Sequence, residues 1–332
     1  MVTMFRARPN SSHTAATALI LVLLSSVWRY AEAGSEPIRL QPSASLAQGP
    51  ARENSGIVAS RRHDDVFWMI NDSGDEPRVY PVRADGTVYG ASRGAPNSDG
   101  MAGNYSTSGI LVGGAINVDW EDIALDAADR LLIPDFGNNS NDRRDLVIYV
   151  LNEPRPGAGR TTWREKWFFR YPQQADFPAR EDDFNYDAEA LFTIGTTAYV
   201  LTKHRSDTHT RLYRLDDPQP HRVNELELLG RFDIGGRVTA ADASPDGLRL
   251  LVATYQALWL FERTTLEEPF FDGRVSRLRF KASQVEAACF VDASAEQLLL
   301  ADEKDAVLFE LALRDFDTVD KSELAQRRQE IR

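Results

Sequence analysis

The stretch DWEDIALD at residues 119–126 decides the fold, because four similar stretches occur elsewhere in the chain. Each begins with polar or acidic residues and continues with small or aliphatic ones, and a second apolar run follows a few positions later. The five openings are ENSGIVAS (53–60), DWEDIALD (119–126), DAEALFTI (187–194), TAADASPD (239–246) and QVEAACFV (284–291). Such a recurrence indicates a repeat architecture.

Most repeats contain four candidate strands, which are short, rich in valine, leucine and aromatic residues, and bounded by Gly, Asp, Pro and Asn. These runs are typical of β-strands, and the DG dipeptides at 85–86, 246–247 and 272–273 are typical of hairpin turns. Four-stranded units that recur at intervals of roughly 45 to 70 residues predict an all-β fold, a β-propeller. We count five four-stranded blades, and a sixth could lie in the loops 91–109 or 155–186. A β-sandwich or barrel does not predict this recurrence.

The fifth repeat lacks an obvious fourth strand, whereas IRLQPSASL (38–46) precedes the first repeat. We expect this N-terminal strand to complete the last blade and close the ring, since closure protects both edges. The propeller domain is predicted to cover residues 34–316. Residues 317–332 form a C-terminal tail, in which SELAQRRQEIR is either a short helix or a frayed end.

The first 33 residues have the pattern of a signal peptide: Arg6 and Arg8, then the apolar run AATALILVLLSSVW, then small residues ending at Ala33. We expect cleavage after Ala33 and a secreted or periplasmic protein. The alternative is an anchor that stays attached, but the apolar run is shorter than the ~20 residues that span a bilayer comfortably. No stable membrane insertion is expected after cleavage.

The chain carries a net charge of −12, which becomes −14 without residues 1–33. This acidity argues against nucleic acid and anionic membranes as partners and is compatible with cations. We expect a monomer. Cys289 is the only cysteine, so no intramolecular disulfide can form, and its apolar surroundings predict a buried, inert thiol.

Aligning the five openings on a central aliphatic residue produces two polar columns. Two positions before it stand Ser55, Glu121, Glu189, Ala241 and Glu286, and four positions before it stand Glu53, Asp119, Asp187, Thr239 and Gln284. Residues i and i+2 share one face of a strand, so both columns should face the central channel. On this basis Asp119 and Glu121 face the channel, while Trp120 and Asp122 point between blades or into the turn.

The second strands end in a matching column that should line the same mouth: Asp72, Asp135, Lys203, Thr254 and Asp302. Carboxylates from several blades would supply the oxygen ligands that Ca²⁺ requires. The predicted metal ligands are Glu53, Asp72, Asp119, Glu121, Asp135, Glu189, Glu286 and Asp302. The predicted catalytic residues are Glu121, Lys203 and His204, with Lys203 either holding an anionic substrate group or neutralising the carboxylates. The alternative for any single acid is a turn or a solvated rim.

The motifs ENSGI, FWMINDSG, NVDWEDIALD, IPDFGNN, IYVLNEP, YDAEAL, YVLTK and VTAADASPDG resemble a family of exported bacterial β-propellers over about residues 50–260. That family is related at fold level to the phytase-like and SdiA-regulated propellers. More distantly, ENSGI is similar to the first-strand segment of gluconolactonase and paraoxonase-type propellers that carries a calcium-binding glutamate. This resemblance implies that Glu53 or Glu121 is a metal ligand. The later Asn and Asp ligands of the lactonases and the full acidic and basic set of the phytases are not found.

Two functions are compatible with this sequence. The first is a Ca²⁺-dependent hydrolase of phosphoesters or lactones acting on a small-molecule anionic substrate. The second is a non-catalytic propeller that binds an extracellular protein, peptide or glycan and holds a structural cation.

Overall fold

The structure, a computed structural model, describes residues 36–47, 49–50, 53–89 and 109–329. Within them five small β-sheets form a ring, so the protein is an all-β, five-bladed β-propeller, as predicted. Residues 155–186, considered for a sixth blade, instead supply strands to the first two sheets. The predicted signal peptide and nearly all of the 91–109 loop lie outside the described residues.

The strands follow the chain from the centre of each blade outwards. The N-terminal segment holds β1 (Ile38–Arg39) and β2 (Ala44–Ser45). Blade 1 has β3 (Asn54–Ala59), β4 (Phe67–Asn71), β5 (Arg78–Val82) and β6 (Ile110–Gly113). Blade 2 has β7 (Ala124–Leu125), β8 (Arg130–Asp135), β9 (Val147–Asn152) and, after β10 (Arg160–Thr162), β11 (Glu165–Arg170). Blade 3 has β12 (Asp187–Ile194), β13 (Thr197–Lys203), β14 (His209–Leu215) and, after β15 (Asn224–Glu225), β16 (Glu227–Asp233).

The remaining elements complete the ring and its tail. Blade 4 has β17 (Val238–Ala243), β18 (Arg249–Thr254), β19 (Ala257–Glu262) and β20 (Arg274–Lys281). Blade 5 has β21 (Val285–Phe290), β22 (Gln297–Asp302) and β23 (Val307–Ala312). The tail holds β24 (Asp317–Thr318), α1 (Lys321–Arg327) and β25 (Arg328–Gln329). No helix in the described part of the chain is long and apolar enough to cross a membrane.

The N-terminal strand closes the ring, as the sequence predicted. Strand β2 is the fourth strand of blade 5 and pairs antiparallel with β23 through Ala44–Leu308 and Ser45–Val307. The backbone amides of Ser43 and Leu46 extend this seam, each with a 2.8 Å hydrogen bond to a carbonyl oxygen of the fifth blade. Strand β1 adds in parallel to β20 of blade 4.

Short strands also cover the outer edges of the other blades. Strand β10 pairs in parallel with β6, and β15 pairs in parallel with β11. The tail reaches two blades, because β24 pairs with β20 and β25 pairs with β16. Edge strands invite pairing between molecules, so these additions protect the sheets.

The hydrophobic core lies between neighbouring blades. Each of five buried clusters joins residues of two adjacent sheets, and the wide side chains of Trp68, Trp120 and Trp259 fill the wedges between them. Trp120 thus points between blades, as predicted. Cys289 is buried in the cluster between blades 5 and 1, and burial raises the pKa of its thiol well above the usual value, so the prediction of a buried thiol is confirmed.

Candidate metal centre at one end of the ring

The inner strands carry an irregularity at their entrance. The pairing of β3, β12, β17 and β21 with the next strand shifts register at Ser55, Glu189, Thr239 and Glu286 respectively. In blade 2 the equivalent stretch between the Trp120–Asp135 bridge and β7 contains Glu121. Bulges of this kind re-aim a side chain.

This register corrects the alignment of blade 4. The sequence alignment placed Ala241 in the same column as Glu121, Glu189 and Glu286. In the structure the bulge of blade 4 occurs at Thr239 instead. The hydroxyl of Thr239 is buried and has no hydrogen-bond partner among the described residues.

In two blades the end of the second strand is also shifted by one position relative to the predicted column. Asn71 pairs with Asn54 and Thr202 pairs with Ala188, so Asp72 and Lys203 stand one residue beyond the column predicted for them. The same later position holds Tyr255 in blade 4 and Glu303 in blade 5. The sequence analysis did not predict Tyr255 and Glu303 as site residues. The feature that could have identified them is their position directly after a second strand.

Three carboxylates converge between blades 1 and 2. Ligand atoms of Asp72, Asp119 and Glu121 all lie within 4.8 Å of one another. Glu121 is buried, while Asp72 and Asp119 are half-buried. Within the described part of the chain, no lysine, arginine or histidine forms an ion pair with any of the three.

The electrostatics of this cluster are unfavourable for three negative charges. Burial and then the neighbouring Asp72 carboxylate raise the pKa of Asp119 to about 7. Burial, followed by Glu189 and Asp72, raises the pKa of Glu121 well above its usual value. Carboxylates placed in this way bind protons or a cation more readily than they remain ionised without a counter-ion.

Gly137 leaves the space that this cluster occupies. A Cβ atom at residue 137 would overlap Oε1 of Glu121 and Oδ2 of Asp119, because both lie closer to it than nonbonded atoms approach. With glycine in the motif DFGNN the backbone lies directly against the two carboxylates, and a side chain at residue 137 would displace them from their present positions. An acidic set packed against a bare backbone fits a hard cation with oxygen ligands.

Asp135, predicted as a ligand, instead holds this segment in place. Its carboxylate accepts hydrogen bonds from the amides of Val118 at 3.2 Å and Asp119 at 3.1 Å. It also forms an ion pair of 2.9 Å with Arg143, whose Nη1 donates to the carbonyl oxygen of Gly137 at 2.8 Å. Both residues position the loops that carry the carboxylates.

The carboxylates of blades 3 and 5 have a cation of their own. Lys203 Nζ lies 2.8 Å from Glu189 Oε1 and 5.3 Å from the centre of the Tyr255 ring. Burial lowers the pKa of Lys203, but Glu189 and Glu286 together outweigh this effect and raise it, so the lysine stays charged. The pKa of Glu286 is raised to about 7 by burial, although Lys203 opposes the shift, and Gln284 donates to its Oε1 at 2.9 Å.

The side chains of the remaining predicted site residues are not part of the three-carboxylate cluster. Asp302 accepts from the amides of Gln284 at 2.7 Å and Asp305 at 2.9 Å, which closes a turn. The side chain of Glu53 is exposed, and its carbonyl oxygen accepts from Asp72 N at 2.8 Å. His204 is buried with Nδ1 2.5 Å from Asp207, and burial lowers its pKa.

The alternation of side chains predicted that Asp122 points away from the channel, and this prediction is wrong. Its carboxylate accepts from the amides of Ile123 (2.8 Å), Leu191 (2.9 Å) and Ala241 (3.3 Å), so it joins the inner strands of blades 2, 3 and 4. A Cβ on Gly56 would lie 2.8 Å from the Asp122 backbone. Asp242 similarly accepts from Phe290 N at 2.9 Å. These contacts fill the centre of the ring.

Comparison with known proteins adds little to this description. No protein-family profile matches the sequence, and no curated protein matches it. The structure is similar to a solved structure provisionally named a gluconolactonase, with 12% sequence identity, a TM-score of 0.43, and coverage of 86% of this chain and 93% of that chain. The propeller architecture itself rests on the five sheets described above.

Proposed function

We propose that this protein binds a divalent cation, Ca²⁺ first among the candidates, through Asp72, Asp119 and Glu121, and hydrolyses a phosphoester or lactone-type substrate there. The observation that carries the proposal is the convergence of three carboxylates within 4.8 Å, with no ion pair to any of them among the described residues. Their oxygen atoms come from two blades, and hard cations such as Ca²⁺ prefer oxygen ligands.

When bound, the cation would polarise a carbonyl or phosphoryl oxygen of the substrate. In the overall reaction water adds its oxygen to the carbonyl carbon or phosphorus, the bond to the leaving oxygen breaks, and that oxygen gains a proton. The protein positions the ligands. Asp135 and Arg143 hold the loops that carry them, and Gly137 leaves space for the carboxylates of Asp119 and Glu121. Because Lys203 is paired with Glu189, we assign it to charge balance rather than to the substrate.

Several expectations from the sequence extend this proposal. We propose that the protein is exported, to the periplasm or the exterior, and acts as a monomer on a small molecule. The kinship to phytase-like and SdiA-regulated propellers, suggested by the sequence motifs, is part of the same proposal. The buried position of Glu121 also suits a purely structural cation, so a non-catalytic propeller that binds a protein, peptide or glycan is the second candidate.

The first test is cation binding by the chelator-treated protein. A ligand at 100 times its Kd stabilises the folded state by about 2.7 kcal/mol, which for a domain of this size is a rise in Tm of about 5 °C. We expect Ca²⁺ to produce such a rise and Glu121→Gln to lose it, with the exposed Glu310→Gln as the matched control. An unchanged Tm with Ca²⁺, Mg²⁺ and Mn²⁺ would show that the carboxylates bind no cation.

The second test is turnover on a panel of lactones, aryl esters and phosphomonoesters. We expect cation-dependent hydrolysis that Glu121→Gln abolishes while the circular dichroism spectrum is retained. Cation binding without turnover on any member of the panel indicates the non-catalytic candidate.

A further inference from the structure

Two exposed apolar side chains lie at the acidic end of the ring. Residues 114–118 connect β6, the outer strand of blade 1, to the start of the inner strand of blade 2, so they cross the end where Asp72 and Asp119 lie. Ile116 is 64% exposed and Val118 is 47% exposed. Only four large hydrophobic residues of the described chain are at least 47% exposed, and two of them lie in this one connection.

The backbone that carries these side chains is fixed by hydrogen bonds on both sides. Ile116 N donates to the Tyr149 hydroxyl at 3.2 Å, and the Ile116 carbonyl accepts from the indole of Trp120 at 3.0 Å. Val118 N donates to Asp135 at 3.2 Å. The two side chains therefore cannot turn inward without breaking these bonds.

Asn117, between them, attaches the connection to the candidate metal centre. Its side-chain amide donates to the carbonyl oxygens of Asn71 at 3.2 Å and Asp72 at 2.7 Å. Its own Oδ1 accepts from Trp120 N at 3.1 Å. Ile116 and Val118 thus lie at the rim of the candidate metal centre, with Asp119 next in the chain. A single exposed hydrophobic residue is ordinary, whereas small-molecule sites combine apolar side chains with a few polar groups, as this pair and the adjacent carboxylates do.

The charges at this end argue against a polyanionic ligand. Three buried or half-buried cations at this end are bound to carboxylates, Lys203 to Glu189, Arg205 to Asp187 and Arg143 to Asp135, which leaves Lys304 as an exposed cation beside Glu303. Burial and the acids Asp72 and Glu53 raise the pKa of Glu303, a further sign of excess negative charge. A ligand with several phosphates would be repelled, whereas an uncharged carbonyl compound would not.

We propose that Ile116 and Val118 contact the apolar arm of a small-molecule ester or lactone whose carbonyl oxygen lies at the candidate metal centre. The substrate class is then an uncharged ester with an alkyl or aryl arm, not a polyphosphate. This inference rests on the proposed function, and it chooses between the two substrate classes named there.

The experiment measures kcat/KM for γ-lactones with alkyl arms of one to six carbons, in the presence of Ca²⁺. Each methylene that becomes buried against the rim raises kcat/KM by up to about fourfold. In a variant carrying Ile116→Ser and Val118→Ser, the ratio of long-arm to short-arm kcat/KM should fall towards one while the Ca²⁺ affinity is retained. The matched control replaces two equally exposed residues elsewhere, Val223→Ser with Leu266→Ser, and should leave the ratio unchanged.

A second readout does not depend on turnover. Calorimetry with γ-lactams bearing the same arms, which resist hydrolysis, should show the same dependence on arm length and the same loss in the double variant. If the wild-type protein binds Ca²⁺ but arm length has no effect on kcat/KM or lactam affinity, this inference is wrong while the cation site stands. If the double variant instead abolishes self-association or capture of a protein while the arm-length dependence persists, the rim is a protein contact and the inference is also wrong. Absence of Ca²⁺ binding in the wild type refutes the proposed function itself.

Discussion

The acidic end of the ring has two halves that handle negative charge in different ways. Between blades 1 and 2, Asp72, Asp119 and Glu121 meet with no ion pair to any of them in the described chain. In blade 3 the ammonium group of Lys203 forms an ion pair with Glu189, and the negative charge of Glu286 in blade 5 also raises the pKa of Lys203. The comparison indicates that a lysine built into the chain supplies on one side the positive charge that an external cation would supply on the other.

The difference arises at the ends of the second strands, not within the inner strands. Glutamates occupy the irregular position of the inner strand in three blades. One position beyond the residue that pairs next to this irregularity, the second strand has Lys203 in blade 3, and the chain has Asp72 in blade 1. In blade 2 the chain continues into Gly137, which leaves room beside Glu121. Identical positions therefore acquire different chemistry from a neighbouring side chain.

The largest effect should come from removing the internal lysine. Lys203→Met removes the nearer cation from buried Glu189 and leaves only Arg205 at 4.0 Å, and breaking a buried pair in this way costs about 3–5 kcal/mol. We expect urea denaturation to show a loss of this size in the free energy of unfolding. Glu189→Gln in the same chain should restore part of it, and the exposed Lys304→Met should cost little. A loss below 1 kcal/mol would mean that the two halves do not differ as described.

A smaller effect should follow from filling the space beside the cation ligands. Gly137→Ala places a Cβ against Glu121 and Asp119, so the carboxylates must move apart. We expect Ca²⁺ affinity, measured by calorimetry, to fall at least about tenfold, equivalent to roughly 1.4 kcal/mol. Gly159→Ala is the control, since no atom lies within 4 Å of its added Cβ. Equal affinities for the two variants would place the cation elsewhere.

The smallest effect concerns Asp242, whose carboxylate accepts hydrogen bonds from backbone amides. Burial raises the pKa of Asp242 to about 7 despite hydrogen bonds from the amides of Phe290 and Ala243. Because the folded state holds this proton more tightly than the unfolded state between about pH 4 and 7, stability falls as pH rises through that window.

In Asp242→Asn this titration is absent, so the decline of Tm between pH 4 and 7 should become shallower. The residual slope comes from the acids at the mouth, whose raised pKa values act in the same direction. The exposed Asp64→Asn should leave the slope unchanged. A slope as steep in Asp242→Asn as in the wild type would show that Asp242 does not titrate in this range.

The sequence predicted the ring but not its local irregularities. The repeated openings and hairpin turns sufficed for five blades, and the missing fourth strand of the last repeat indicated that β2 closes the ring. The inner columns assumed regular alternation, which fails at a bulge. Thr239 was therefore misplaced by two residues, and Asp122 was expected to face away from the channel.

Which of the predicted ligands come together depends on distances in the folded protein, and residue type alone does not reveal them. Asp72, Asp119 and Glu121 were three of eight predicted ligands, and nothing in the sequence separates them from Asp135 or Asp302. Only the structure shows that the latter two accept backbone amides. The role of Gly137 was also invisible, because it consists of the space that a missing Cβ leaves.

The closing seam between β2 and β23 also sets an order of events during synthesis. About 260 residues separate Ser45 from its partner Val307 along the chain. At the usual rate of about 5–20 residues per second, roughly 13 to 50 seconds pass between the synthesis of the two strands. Blades 1 to 4 can pair internally within that time, but the ring remains an open arc. The first segment of the propeller to be made is therefore among the last to find its place, and the outer edge of β23 and the facing sides of blades 5 and 1 stay accessible until it does.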